Sequence, residues 1–218
     1  MIKGILFDLD GTLINSEKAF GICFLDTLNN TFGTNFTYLD YKKYELEQNS
    51  MLIKYAKENG MIPTFITDKD IMKTIYKKYN DYFIKIVKDY ETKLNFKLIR
   101  KLKDKYILGL VTTCKRSYLD ILNDEEDIYS LFDVVIARED VEKLKPNEEA
   151  YIKALNIINL NNDEVIAIED SKRGIDSAIS ANIKVIKVSN FTQIKFDDNR
   201  AIEVDDVKSA IEKIKKLH

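Results

Sequence analysis

The chain has 218 residues, 45% of them hydrophobic and 32% charged, with 34 basic and 36 acidic side chains for a net charge of −2. This is the balance of a globular protein with a real core, of a size that suits one domain plus an insertion. It lacks the basic surplus of a phosphate-driven nucleic-acid binder, and its 7 glycines and 2 prolines exclude collagen-like and low-complexity classes.

In chain order, Ile2 to Phe7 is a short apolar run cut off by Asp8-Leu9-Asp10-Gly11-Thr12, which reads as a buried strand and a turn. From about Ile14 to about Thr92 no strand pattern occurs. Helical stripes fill that stretch: Phe20, Phe24 and Leu28; Leu52, Tyr55 and Ala56; Ile71, Ile75 and Tyr79; Tyr82, Ile86 and Tyr90. Asn59-Gly60 followed by Pro63 reads as a loop between them. Four more apolar runs follow, Tyr106 to Val111, Asp133 to Ala137, Val165 to Ile168 and Lys184 to Val188. Helical patterns separate them at Phe96 to Lys103, Arg116 to Leu122, Glu148 to Ile158 and Arg173 to Ile179, and Val207 to Leu217 closes the chain. Strands apolar throughout, alternating with helices, indicate a doubly wound parallel sheet. The expectation is an α/β core of residues 1–13 and 93–218, with an all-helical insertion of residues 14–92 placed as a candidate lid.

A parallel sheet brings its strand ends to one edge. Asp8 and Asp10 follow the first strand, Thr112 and Thr113 the second, Lys145 the third, and Glu169 and Asp170 the fourth. Four carboxylates crowded together repel unless neutralised, and a hard divalent cation such as Mg²⁺ is the natural partner of carboxylate and carbonyl oxygens. A metal, a lysine and hydroxyl donors suit an anionic substrate, phosphate best. Asp8 is the leading nucleophile, with Asp10 placed to protonate a leaving oxygen and later activate water. Each residue also has a plainer role open to it. An Asp-Gly pair makes an ordinary turn, threonine suits a strand end, Lys145 before Pro146 suits an exposed loop, and Glu169 and Asp170 suit a helix start. Ser171 reads as a helix cap, and Ser16 as either a cap or a wall of the substrate entrance.

Other chemistries are poorly supplied. The one histidine, His218, is the last residue, which leaves no Ser-His-Asp triad or Cys-His dyad in the body of the chain. Cys23 and Cys114 make neither a disulfide framework nor a zinc site. A Cys-x5-Arg nucleophile at Cys114 needs arginine at 120, where the chain has Asp120, so Cys114 reads as a small loop residue. The glycines, at 4, 11, 21, 33, 60, 109 and 174, fit neither a P-loop nor a dinucleotide fingerprint. Met1 to Asp10 is too short and acidic for a signal peptide, and no run of eighteen apolar residues occurs. The expected setting is the cytoplasm, without membrane or nucleic-acid partners.

Phe7-Asp8-Leu9-Asp10-Gly11-Thr12 resembles the first motif of the haloacid dehalogenase-like hydrolases. Val111-Thr112-Thr113 is similar to their second motif and Lys145-Pro146 to their third. Ile168-Glu169-Asp170-Ser171-Lys172-Arg173-Gly174-Ile175 is similar to the fourth, and the order holds over residues from about 1 to 190. The resemblance implies a Rossmann-like core with a helical cap, the arrangement of the phosphoglycolate phosphatase and β-phosphoglucomutase branch. It implies Asp8 as nucleophile and magnesium ligand, and Asp10 as general acid/base with its carbonyl on the metal. Thr112 and Lys145, with the N–H groups of Leu9 and Thr113, would hold the transferring phosphoryl group. Asp170 would bind Mg²⁺, and Glu169 directly or through water. An acid at Asp10 sets the chain apart from the dehalogenases. The chain departs from the family at Asn15-Ser16, at Asn147-Glu148 after the Lys-Pro pair, and in lacking a mutase-type Gly-x-x-Arg loop between Lys42 and Gly60. The implied function is a Mg²⁺-dependent phosphatase for a small phosphorylated metabolite, expected as a monomer or weak dimer. A sugar-phosphate mutase and a non-catalytic binding protein on the same fold are the alternatives.

Overall fold

A computed structural model describes residues 1–45, 50–189, 191 and 198–216. In chain order the elements are β1 (Gly4–Phe7), α1 (Ser16–Phe32), α2 (Tyr38–Glu45), α3 (Ser50–Glu58), α4 (Asp68–Val87) and α5 (Tyr90–Arg100). Then come β2 (Ile107–Val111), α6 (Arg116–Glu126), α7 (Ile128–Leu131), β3 (Val134–Ile136), α8 (Glu149–Ile158) and β4 (Val165–Glu169). The last are α9 (Lys172–Ser180), β5 (Lys184–Val188), β6 (Ile202–Val204) and α10 (Val207–Ile214). The chain divides into two compact units, residues 1–15 with 87–218, and residues 16–86.

The larger unit is an α/β fold. Its six strands run parallel in the order β3-β2-β1-β4-β5-β6. β1 sits between β2 and β4, with Phe7 level with Leu110 on one side and Ile168 on the other. Every residue of β1 and β4 is buried, which is why their sequences read as continuous apolar runs. One face of the sheet packs a core in which Leu6, Val111, Val134 and Ala167 meet Tyr151, Ala154, Ile175 and Ala178 from α8 and α9. The strand order reverses at β1, so the crevice beyond the carboxyl ends of β1 and its neighbours is where such sheets place ligands.

The smaller unit is all helical. Of the predicted stripes, Phe24, Leu28, Leu52, Ala56, Ile71, Ile75 and Tyr79 are buried, and Ile53 and Phe83 join them. Rings interlock inside it, with Phe20 edge-on to Tyr79 at 5.5 Å and Phe24 against Tyr41 at 5.6 Å. Tyr55, placed in a stripe by its spacing, is exposed instead.

Several boundaries differ from the sequence reading. The predicted helix Phe96 to Lys103 begins earlier, at Tyr90 behind the Asp89 cap, and stops at Arg100. Tyr90 therefore belongs to α5 and not to the stripe of Tyr82 and Ile86, which lies on α4. β6, α2 and α7 carry no distinct periodic pattern and were not anticipated. Leu217 and His218 lie outside the described residues. Among the described residues no helix is long and apolar enough to cross a membrane.

Candidate active site

The turn after β1 builds one wall. The Asp8 amide still donates to Ile168 O of β4 at 3.0 Å, so this side chain leaves from the last rung of the ladder. The Leu9 carbonyl then accepts from the amides of Thr12, Leu13 and Ile14, which winds the chain tightly. Gly11 is demanded twice. Its φ is +85°, and a Cβ there would lie 2.1 Å from Asp170 Oδ2. Thr12 Oγ1 donates to the other oxygen of Asp170 at 3.3 Å.

Lys145 is the centre of the site. Its Nζ donates to Asp8 Oδ1 at 2.7 Å, Glu169 Oε1 at 2.6 Å and Val111 O at 2.8 Å, which uses all three of its protons. Burial works against the charge, but the Asp8 and Glu169 carboxylates outweigh it and raise the lysine's pKa, so it stays an ammonium. Glu169 has no exposed surface, and its pKa is raised by that burial and by Asp8, with Lys145 pulling the other way. The Tyr151 hydroxyl donates to the same Glu169 oxygen at 2.6 Å, and the Tyr151 ring lies 5.1 Å from Lys145 Nζ. Gly174 lets the other carboxylate oxygen fit, since a Cβ there would be 1.9 Å from Glu169 Oε2.

Asp8, Asp10, Thr113, Lys145, Ser171, Arg173 and Gly174 line one cavity of about 120 Å³. That is room for about four waters, well below the several hundred Å³ of a pocket for a whole drug-sized ligand. It suits one compact anionic group. Thr112 is not part of this lining. It is buried, donates to Asp10 Oδ2 at 3.4 Å and accepts from the Cys114 amide at 3.0 Å. Ser171 caps α9 by accepting from the Gly174 amide at 3.1 Å, the role its sequence position suggests. Burial, then Asp10 and Asp8, push the Cys114 thiol up, which keeps it protonated and unreactive. Ser16 lies in the helical unit, where it opens α1 and its carbonyl accepts from the Tyr79 hydroxyl at 3.3 Å.

The donor set fits a divalent cation. Asp8, Glu169 and Asp170 each offer a carboxylate oxygen, all within 4.8 Å of one another and all from buried residues. Glu169 Oε2 is buried with no hydrogen-bond partner. Three buried carboxylates against one lysine leave negative charge to be neutralised, and their hard oxygens suit an alkaline-earth ion.

Three contributors carry weaker sequence signals. Tyr151 reads only as a core residue of an amphipathic helix. Arg173 and Gly174 fall inside the fourth motif without a role of their own. What identifies them is contact across the fold, with Glu169 at 18 residues' separation from Tyr151 and Lys145 at 28 from Arg173.

A doubly wound parallel sheet with an acid–lysine cluster at its switch point defines an α/β enzyme. The profile of the haloacid dehalogenase-like hydrolases matches residues 5–188, and the chain belongs to this family. It is 31% identical over 193 residues to pyrophosphatase PpaX of Bacillus cereus (strain B4264), covering 86% of this chain and 83% of that one. A hydrolase of the same family from Deinococcus radiodurans R1, solved with bound phosphate and sodium, has a similar fold, with TM-score 0.75, 16% identity, and coverage of 99% of this chain and 96% of that one. CbbY from Rhodobacter sphaeroides, solved in complex with phosphate, has TM-score 0.67 and 20% identity over 95% of each chain.

Proposed function

We propose that this hydrolase is a Mg²⁺-dependent phosphatase acting on a small phosphorylated metabolite through an aspartyl-phosphate on Asp8. The juxtaposition of Asp8, Asp10 and Lys145 around one anion-sized cavity carries the proposal. The names of the phosphate-bound fold neighbour and the pyrophosphatase relative support it.

Asp8 attacks the phosphorus, and the bond from phosphorus to the ester oxygen breaks. Asp10, held by the Thr112 hydroxyl, gives its proton to the leaving oxygen. The Thr113 wall and the Leu9 and Thr113 amides hold the phosphoryl oxygens, and the Lys145 ammonium beside Asp8 stabilises their developing charge electrostatically. Asp10 then takes a proton from water, the hydroxyl attacks the aspartyl-phosphate, and inorganic phosphate leaves with Asp8 restored. Asp8, Asp170, the Asp10 carbonyl and Glu169, directly or through water, would hold Mg²⁺. When bound, the ion would neutralise phosphoryl oxygens that the carboxylates otherwise repel. The helical insertion between β1 and β2, residues 14–92 in the sequence reading, is assigned the selection of the substrate, with Ser16 at its start.

The test is phosphate release from p-nitrophenyl phosphate and a panel of small phosphate esters that includes pyrophosphate, with and without Mg²⁺, beside Asp8→Asn. Turnover that needs both the metal and Asp8 is expected. No release from any ester by folded protein with Mg²⁺ would overturn the proposal. Interconversion of sugar phosphates without free phosphate would point to a mutase.

A further inference from the structure

The helix that follows the Glu169–Asp170 pair also grips the segment carrying Lys145. Arg173 donates from Nε and Nη2 to the Lys145 carbonyl, at 3.2 and 2.6 Å. One turn further along α9, Ser177 Oγ donates to the Asn147 carbonyl at 2.6 Å. Residues 173 and 177 share a helix face, and that face holds the chain at 145 and 147. The Asn147 side chain adds a third tie by accepting from the Glu149 amide at 3.1 Å. Lys145 is thus fixed at both ends, by its carbonyl on Arg173 and by its ammonium on Asp8, Val111 and Glu169.

Arg173 differs from three of the other four arginines. Arg100, Arg116 and Arg200 each pair with a carboxylate. Among the described residues Arg173 has no ion pair, and its planar fork is directed at one peptide carbonyl on the cavity wall.

We propose that Arg173 is a positioning residue, which acts through the Lys145 carbonyl to fix where the Lys145 ammonium meets Asp8 and the transferring phosphoryl group. This rests on the phosphatase proposal, in which Lys145 stabilises charge that grows in the transition state. A small displacement of such a group costs turnover more than it costs substrate binding.

The experiment compares wild type, Arg173→Ala, Arg173→Lys and Ser177→Ala on p-nitrophenyl phosphate with Mg²⁺, with Lys145→Ala as control and thermal unfolding of each. Arg173→Ala is expected to lower kcat about tenfold with KM within about twofold. Arg173→Lys, which keeps one donor, recovers part of the loss, and Ser177→Ala gives a smaller loss of the same kind. A raised KM with unchanged kcat would overturn the proposal, because Arg173 would then contact the substrate itself. So would wild-type kinetics in Arg173→Ala, or a loss explained wholly by unfolded protein. Should Arg173→Ala fail to fold, Arg173→Lys and Ser177→Ala decide by the same split. If Lys145→Ala keeps wild-type turnover, the phosphatase proposal itself fails. If Lys145→Ala is inactive while both grip variants turn over normally, only the clamp fails.

Discussion

Two triplets in this protein have the same formal composition, one cation between two carboxylates. In the buried triplet Lys145 lies 2.7 Å from Asp8 and 2.6 Å from Glu169. In the second triplet the exposed Arg200 lies 2.5 Å from Asp198 and 2.6 Å from Asp176. Yet Glu169 and Asp198 respond in opposite directions. Hydrogen bonding from Arg200 lowers the Asp198 pKa to about 2, whereas burial and the neighbouring Asp8 raise that of Glu169 despite Lys145. Distance to a cation does not by itself decide the ionisation of a carboxyl group; for Glu169 the burial of the whole cluster and the second carboxylate, Asp8, decide it. A buried triplet of this kind is weak evidence for stability, because desolvation offsets the Coulomb gain. Its presence is better explained by the chemistry at the edge of the sheet.

The largest effect expected is from removing Lys145. Lys145→Ala leaves Asp8 and Glu169 buried together without their cation. Stability should fall by about 3–5 kcal/mol, and phosphate release by roughly a thousandfold, readable from urea unfolding and steady-state kinetics. Metal comes next. At Mg²⁺ a hundred times its Kd the folded state should gain about 2.7 kcal/mol, and chelation should remove that gain. Asp170→Asn should abolish most of the shift, and an equal Mg²⁺ response in that variant would contradict the ligand set.

Tyr151→Phe is a milder break. It keeps the ring beside Lys145 but deletes the hydroxyl that Glu169 accepts from, at an expected cost of about 1.5–3 kcal/mol in unfolding free energy. The smallest effect belongs to the surface. Asp198 titrates lower in the folded chain than its ordinary 3.8, so its stabilising share is present above that pH and is lost as pH falls toward 2. Arg200→Ala should remove that share at neutral pH, a small loss because Arg200 is exposed, and the variant and wild type should converge in stability as pH falls toward 2.

Much of the fold was legible because the central strands are buried on both faces. Gly4–Phe7 and Val165–Glu169 have no solvent side, so their sequences carry no polar alternation to confuse the period. β6 is different. Ile202, Glu203 and Val204 form an edge strand that is partly or wholly exposed, too short and mixed to stand out. The site residues announced themselves as polar groups at strand ends, since a parallel sheet delivers all such ends to one edge. Their partners did not. Thr112 suited the phosphoryl group in sequence, whereas in the structure it is buried beneath Asp10 and Thr113 forms the wall. Tyr151 and Arg173 act through contacts that no local spacing encodes.

The central claim is that Asp8 becomes phosphorylated. Asp10→Asn should still be attacked by p-nitrophenyl phosphate, whose leaving group needs little protonation, while hydrolysis of the intermediate stalls. After mixing with Mg²⁺ and acid quenching, peptide mass spectrometry should find one added phosphoryl group on the peptide containing Asp8. Release of phosphate without any adduct, or an adduct on another residue, would contradict the account.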